Sequence, residues 1–412
     1  IGTLPVALFG TEEQKRRYLP KLIQGDYIGA FGLTEPEAGS DALNPLTSAR
    51  LADDGATYIL NGSKQFITNA GFADLVFVYA KVNYEHFTAF IVEQNWEGVS
   101  VDDEEDKMGM HGTSTRAYYF ENVHVPIENV LGEIGKGHLV ALNALNMGRF
   151  KVGAVCIGSS KRAFYEALKY SKQRKQFGKS ICDFGLIKSK IATMAVRIFA
   201  AESMMYRTAG LLQNFLDSFN DDIDHTADVL AEYLIECSIN KVYGSETEDF
   251  VVDEELQIFG GYGYIKGHHP ETAYRNARIN RIWEGTNEIN RLVIANTFLK
   301  KMSHIDWGSA FDPTTDLKIP CTDIDDDQLF GLLKQNVENY HELKKLCYHS
   351  IHFVADEYGK QIKAEQEILG MISDLIMLIY ALESSLFRVL KNISQSKNRD
   401  ILIHISNVLT HE

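Results

Sequence analysis

The feature that most restricts this chain is a change of texture along it. From about residue 29 to 135, apolar residues come in short alternating or β-branched runs punctuated by glycine, such as "ATYILNG", "KQFIT", "ADLVFVYAKV", "FTAFIVEQ" and "AYYFENVHV". From about residue 136 they recur at three- and four-residue spacing instead, over 137–172, 185–214, 226–259 and 287–302. The two periods are not interchangeable, because each fixes which side chains share a face. With no long helical pattern between the runs, the middle of the chain predicts an antiparallel barrel or sandwich. Ahead of it, "TEEQKRRYLPKLIQ" (11–24) reads as a helix with Thr11 as N-cap, acids in the first turn and basic residues later. Tyr18, Leu19 and Leu22 give that helix one apolar face. The chain then divides at 1–28, 29–135, 136–303 and 304–412: the end of a helical domain, a β domain, a helical bundle, and a helical extension behind an irregular linker at 304–325.

Composition removes several function classes. At 412 residues there is room for two or three domains and a large core. A net charge of −15 and a pI near 5.4 exclude nucleic acid as the main partner, since phosphate binding needs a basic face. Five cysteines (Cys156, Cys182, Cys237, Cys321, Cys347) show no CxxC spacing, so neither a disulfide framework nor a zinc site is expected. The 13 histidines form no HExxH, and no metal is expected. Acidic runs at 102–106, 221–224 and 323–327 lack calcium-loop spacing and read as solvated loops. The cysteine usage favours a reducing compartment, and an intracellular setting is expected, a bacterial cytoplasm first and a mitochondrion second. The chain opens at Ile1 in helical sequence, so its true start and any targeting signal are expected upstream. No uninterrupted apolar run is long enough to span a membrane. The apolar stretch 366–390 is interrupted by Asp374, Glu383 and Arg388 and reads as a buried bundle helix.

Several stretches could carry chemistry. "FGLTEPEAGSD" (31–41) could offer backbone N–H groups and the hydroxyls of Thr34 and Ser40 to a phosphate, and reads equally as an ordinary turn. In "KQFITNAG" (64–71), Phe66 and Thr68 would share a strand face, where a ring could stack and a hydroxyl donate; a buried Phe beside a half-buried Thr is the plainer alternative. Arg149 and Arg174 lie 25 residues apart (174 − 149), about seven helical turns if the helix is unbroken. "QIFGGYGYIKG" (257–267) follows a helix and lacks GxGxxG and GK[ST], which rules out Rossmann and P-loop readings. Its glycine pair would let backbone approach a ligand closely. In "RIWEGTNEINRL" (281–292), Glu284 sits between Trp283 and Gly285 at the joint before a helix. It could be a first-turn acid favouring the helix dipole, or a carboxylate put there for reaction.

The order and spacing of these stretches resemble the acyl-CoA dehydrogenase family over about residues 1–302, through "LTEPEAGSD", "GSKQFITNAG", "NVLGEIGKG", "MGRF", "RKQFGKSI", "QIFGGYGY" and "RIWEGTNEINRLVIA". "NMGRF", "DFGLIKSKIA", "ESMMY" and the extension past residue 303 are most similar to the very-long-chain branch and related bacterial enzymes. The resemblance implies an α+β fold: an N-terminal helical domain, largely missing here, a central β-barrel domain, a C-terminal helical bundle and an extra helical region. It implies FAD as cofactor. Phe31, Leu33, Thr34 and Ser40 would line the flavin and the CoA pyrophosphate, and Phe66 and Thr68 would cover the isoalloxazine and bond near its N5 edge. Many relatives have tryptophan at the Phe66 position. Arg174, Gln176, Phe177, Gln257, Gly260 and Gly261 would contact the FAD of a neighbouring subunit, Thr286 and Glu288 would complete the FAD contacts, and relatives often carry glutamine or aspartate in place of Glu288. Asn146, Arg149 and Gly285 would contact acyl-CoA. Glu284, 27 residues after Gln257 (284 − 257), would be the catalytic base, its pKa raised by an apolar pocket walled by Trp283 and the flavin. The implied reaction converts long acyl-CoA to trans-2-enoyl-CoA in β-oxidation and passes electrons to an electron-transferring flavoprotein. Alternatives are an acyl-CoA oxidase or an assembly scaffold for respiratory complexes. A homodimer with at most peripheral membrane contact is expected, the extension covering surface that relatives use to form tetramers.

Overall fold

The computed structural model describes residues 2–218, 226–302, 327–393 and 396–411. The linker expected at 304–325 and the acidic run at 221–224 fall outside these residues, as does most of the run at 323–327. By internal contacts the chain forms two compact units, Ile1–Gly148 with Phe215–Glu232, and Arg149–Asn214 with Tyr233–Glu412.

The first unit opens with helices α1 (Leu4–Phe9) and α2 (Glu12–Gln24). Thr11 caps α2 as its sequence predicts. Its hydroxyl accepts from the Gln14 N–H at 3.2 Å while Gln14 Oε1 accepts from the Thr11 N–H at 2.9 Å. Eight strands follow: β1 (Gly29–Gly32), β2 (Ser48–Leu51), β3 (Thr57–Thr68), β4 (Leu75–Val82), β5 (His86–Glu93), β6 (Val99–Val101), β7 (Thr115–Pro126) and β8 (Val130–Leu131). They form one sheet in the order β6-β7-β3-β2-β4-β5-β8, with β1 also on β4.

The sheet is mixed, which corrects the expectation of purely antiparallel pairing. β1 runs parallel to the first half of β4 (Phe31 opposite Phe77) and β2 parallel to its end (Ser48 opposite Lys81). The two are one line of strand on one edge of β4, interrupted by the excursion 33–47. The chain leaves that edge and returns to it in the same direction, and strand spacing alone does not report this. β4, "LVFVYAKV", is buried on both faces. Leu75, Phe77 and Tyr79 enter one core with Val6, Tyr18, Phe87 and Ile91, while Val76, Val78, Ala80 and Val82 enter another with Leu60, Phe90, Tyr118 and Val123. Burial on both faces accounts for a continuous apolar run where a half-buried strand would alternate.

The helical segments are α3 (Gly137–Gln173), the two-stranded ribbon β9 (Lys175–Gln176) and β10 (Lys179–Ser180), α4 (Gly185–Asp217), α5 (Thr226–Glu232), α6 (Leu234–Phe259), α7 (Gly261–Tyr264), α8 (His269–Ala277) and α9 (Asn287–Met302). The extension supplies α10 (Asp327–Tyr358), α11 (Gln366–Ile393) and α12 (Arg399–His411). The helix expected over 226–259 is broken at Tyr233, whose φ of −95° and ψ of 27° leave the helical region. Within the second unit α3 and α6 meet at Gly153 and Gly244. A Cβ on Gly153 would stand 2.7 Å from the Asn240 carbonyl oxygen, so only glycine permits this approach. α11 buries Leu369, Ile372, Met377, Leu386, Val389 and Leu390 and packs on Ile294 and Ala295 of α9, the bundle helix its sequence suggests.

Candidate active site

The second unit places Glu284 in a turn between the short 3-10 helix Arg278–Arg281 and α9. Glu284 has φ 55° and Gly285 φ 76°. Left-handed backbone suits glycine, but for a glutamate it costs on the order of 1 kcal/mol or more and persists only where neighbours impose it. Here the neighbours are explicit. The Glu284 carbonyl accepts from Arg149 Nε on α3 at 3.4 Å, and Arg149 is buried. The Gly285 carbonyl accepts from Lys241 Nζ on α6 at 2.7 Å and from Asn290 Nδ2 at 2.8 Å. Asn290 Nδ2 also reaches the Thr286 carbonyl at 3.0 Å. The Thr286 hydroxyl accepts from the Ile289 N–H at 3.2 Å and caps α9.

The carboxyl of Glu284 is treated differently from its backbone. Its Oε2 is shut off from solvent and meets no hydrogen-bond donor among the described residues. Burial therefore pushes its pKa up to about 7, against the opposing pull of Arg149 and Lys241. Glu288, exposed in the first turn of α9, is held below its ordinary value by a backbone N–H and the Thr286 hydroxyl. The two acids of one short segment thus have opposite chemistry: one poised to exchange a proton near neutrality, the other fixed as an anion.

A second cluster in the same unit surrounds a cavity of about 490 Å³ lined by Tyr170, Arg174, Gln176, Ile258, Gly260 and Gly261, among others. A Cβ on Gly260 or Gly261 would enter open space, with no atom within 4 Å. Gln257 is exposed in the last turn of α6, and its carbonyl accepts from the Gly260 N–H at 3.1 Å. Phe177 (φ 51°) and Gly178 (φ 80°) turn the β9–β10 ribbon and leave the Phe177 ring 94% exposed. Arg174, Gln176, Gly260 and Gly261 are thus brought to one cavity, whereas Gln257 and Phe177 do not line it.

The first unit gathers the remaining residues. Between Lys64 and Ile67, β3 bulges: Gln65 and Phe66 lie opposite the single residue Ala117 of β7. Strict alternation from buried Lys64 would turn Phe66 and Thr68 inward. The bulge, with Phe66 at φ 58°, buries Ile67 instead and leaves Phe66 and Thr68 both exposed. Phe31 stands at the end of β1 with its ring centroid 5.2 Å from that of Tyr79. Leu33 is buried, Thr34 half-buried with its carbonyl accepting from the Gln65 N–H at 2.9 Å, and Ser40 exposed on the excursion. Asn146, buried on α3, donates to the Leu230 carbonyl at 3.4 Å.

Three supporting residues escape the sequence reading. Lys64 is fully buried where β1 has ended and β2 has not begun. Its ammonium donates to the Tyr79 carbonyl at 2.6 Å, the Leu33 carbonyl at 3.3 Å and Glu35 Oε1 at 2.6 Å. Glu35 in turn accepts from the Leu46 N–H at 2.6 Å and the Thr47 N–H at 3.1 Å, so a buried ion pair pins both ends of the excursion. Lys241 and Asn290 hold the Glu284 turn. The usable signal for Lys241 is a buried polar stripe on α6, Ser238, Lys241, Ser245 and Glu248, at spacings of three and four within apolar sequence.

Comparison with known proteins agrees with this architecture. The acyl-CoA dehydrogenase middle domain matches residues 30–123, and two acyl-CoA dehydrogenase C-terminal domains match residues 135–299 and 342–412. A probable acyl-CoA dehydrogenase of Bacillus subtilis is 46% identical over 403 residues, 96% of this chain and 67% of that protein. The mitochondrial very long-chain specific acyl-CoA dehydrogenase of Bos taurus is 43% identical over 304 residues, 72% of this chain and 44% of its own length. The crystal structure of an acyl-CoA dehydrogenase complexed with FAD from Bacillus anthracis covers all of this chain at 42% identity and a TM-score of 0.90, the match spanning 71% of that protein. Fold and site define an α+β class in which a β domain is followed by a helical bundle and a helical extension. More particularly, the chain belongs to the acyl-CoA dehydrogenase family.

Proposed function

We propose that the chain is an FAD-dependent oxidoreductase that dehydrogenates an acyl-CoA at its α and β carbons, with Glu284 as the base. The observation that carries this is the Glu284 carboxyl itself: half-buried, with Oε2 shut off from solvent and unpaired among the described residues, and its pKa pushed up to about 7. A weakly acidic α-proton needs a base whose own proton affinity is raised and whose position is fixed. Glu284 takes that proton as the Cα–H bond breaks, and the hydride leaves Cβ with its electron pair. Bound FAD supplies the two-electron acceptor for that hydride.

The residues present fit such a cofactor. Phe66 and Thr68 are both exposed near the end of β3, and the open cradle at Gly260 and Gly261 beside Arg174 suits a diphosphate-linked adenosine. On this reading Phe31, Leu33, Thr34, Thr286 and Glu288 complete the cofactor contacts, and Ser40, Asn146, Arg149 and Gly285 serve the acyl-CoA. The Arg174 cluster serves the FAD of a second copy of the chain in a homodimer. The finer reading is a long-chain substrate, trans-2-enoyl-CoA as product, electrons passed to an electron-transferring flavoprotein and an intracellular setting. It is supported by the likeness to the very-long-chain enzymes.

The test is Glu284→Gln, which keeps shape and removes the proton acceptor. Flavin reduction by long-chain acyl-CoA in a single turnover should fall by at least about a hundredfold, with the binding constant little changed. Reduction by dithionite, which needs no α-proton, should be unaffected. A variant that reduces its flavin with acyl-CoA at the parental rate would remove Glu284 from the role.

A further inference from the structure

Lys241 is fully buried, yet among the described residues no anion touches it. Its two acceptors, the Gly285 carbonyl and Asn287 Oδ1, are both neutral and both 2.7 Å away. A buried ammonium kept only for stability would ordinarily be matched by a carboxylate or replaced by an apolar side chain. This one grips Gly285, the residue after Glu284 in the strained turn, and Asn287, the first residue of α9. Asn287 is itself fixed, donating to Ser245 Oγ at 3.1 Å and Glu246 Oε1 at 3.1 Å. Glu246 chelates Arg291 through both oxygens at 2.7 and 3.0 Å, and Arg291 Nε donates to Asp374 Oδ1 of α11 at 2.8 Å. A continuous polar run therefore leads from the extension helix to the carbonyl beside Glu284, with Lys241 as its last member.

We infer that Lys241 is a positioning residue for the dehydrogenation, holding Gly285 and Asn287 so that Glu284 keeps the left-handed backbone that aims its carboxylate. The inference rests on the reading of Glu284 as the base. A base displaced by about 1 Å can lose on the order of a hundredfold in rate while substrate still binds, so the loss should fall on the chemical step. The charge has a second consequence. Among the described residues, the groups facing Glu284 are Arg149 from α3 and Lys241 from α6, and those facing Lys241 are Cys156 and Arg149 from α3, Glu284 from the turn and Glu288 from α9. Removing the Lys241 cation leaves the Glu284 anion less favoured, so the pH at which the base becomes active rises.

The experiment uses the FAD-loaded protein with Lys241→Met, which keeps length but neither donor nor charge, and Lys241→Gln, which keeps a donor. FAD content, the acyl-CoA binding constant and the single-turnover flavin reduction rate are measured across pH, with Glu284→Gln alongside. The expected result for Lys241→Met is roughly a hundredfold slower reduction, binding within about threefold, and an acid limb moved to higher pH. Lys241→Gln should recover part of the rate without restoring the acid limb. An unchanged rate and acid limb in Lys241→Met overturns the inference. So does parallel loss of FAD, binding and rate in both variants, or failure of both to fold, since either makes Lys241 purely structural. If Glu284→Gln keeps the parental rate, the base assignment fails instead; if it loses the rate while Lys241→Met does not, only the inference fails.

Discussion

Glu284 combines a left-handed backbone with a carboxyl oxygen, Oε2, that meets no donor among the described residues, and each feature works against folding. The effect has a definite sign with pH. Its folded pKa of about 7 lies above its ordinary 4.5, so the folded state holds this proton longer than the unfolded chain. The stability that the protonated form contributes is present below about 4.5 and lost as pH rises to about 7. Glu284→Gln carries no charge to desolvate. It should therefore be more stable than the parent at pH 8, by on the order of 2 kcal/mol, and nearly equal to it at pH 4.5, in denaturant titrations. A gain as large at pH 4.5 as at pH 8 would show that charge burial is not its source. Its motif singled Glu284 out, but its strain was not legible there, because φ depends on contacts from α3 and α6. Lys241 went unread for a related reason: nothing in its local sequence says that its acceptors are a backbone carbonyl and an amide more than 40 residues on (285 − 241 = 44).

At the scale of elements, periodicity located the strands and helices well, since burial on one face or two leaves its mark in every turn or pleat. It missed what happens where an element is interrupted. The parallel approach of β1 and β2 to β4 depends on the excursion 33–47 returning to the edge it left, and the β3 bulge breaks the alternation that the strand reading relies on. Lys64 is the physical answer to the first interruption, taking the Tyr79 carbonyl where no strand is available. Lys64→Ala would leave Glu35 enclosed without its cation and should cost about 3–5 kcal/mol in urea unfolding. Lys64→Met combined with Glu35→Gln should cost much less than the two single changes added together, because no unpaired charge remains. Additive losses would mean that the pair does not act as a unit.

Across the whole molecule, the order of helix, β domain, bundle and extension was legible, whereas the contribution of Phe215–Glu232 to the first unit was not. That segment joins residues far away in sequence, and no local pattern encodes the return. The Arg174 cavity makes a prediction at this scale. If it receives the cofactor of a second copy, Arg174→Ala should weaken FAD retention and dimerisation together, read by flavin absorbance and light scattering on the same samples. Full flavin occupancy in a monomeric variant would separate the two.

β4 has a consequence of another kind. Both its faces are packed, β5 pairs along its whole length, and β1, Lys64 and β2 share its other edge in turn. Such a strand has no partial way to open. Its amide hydrogens should therefore keep time for the first unit, exchanging with solvent only when that unit comes apart as a whole, so that the slowest protons in the chain measure the free energy of its β domain directly.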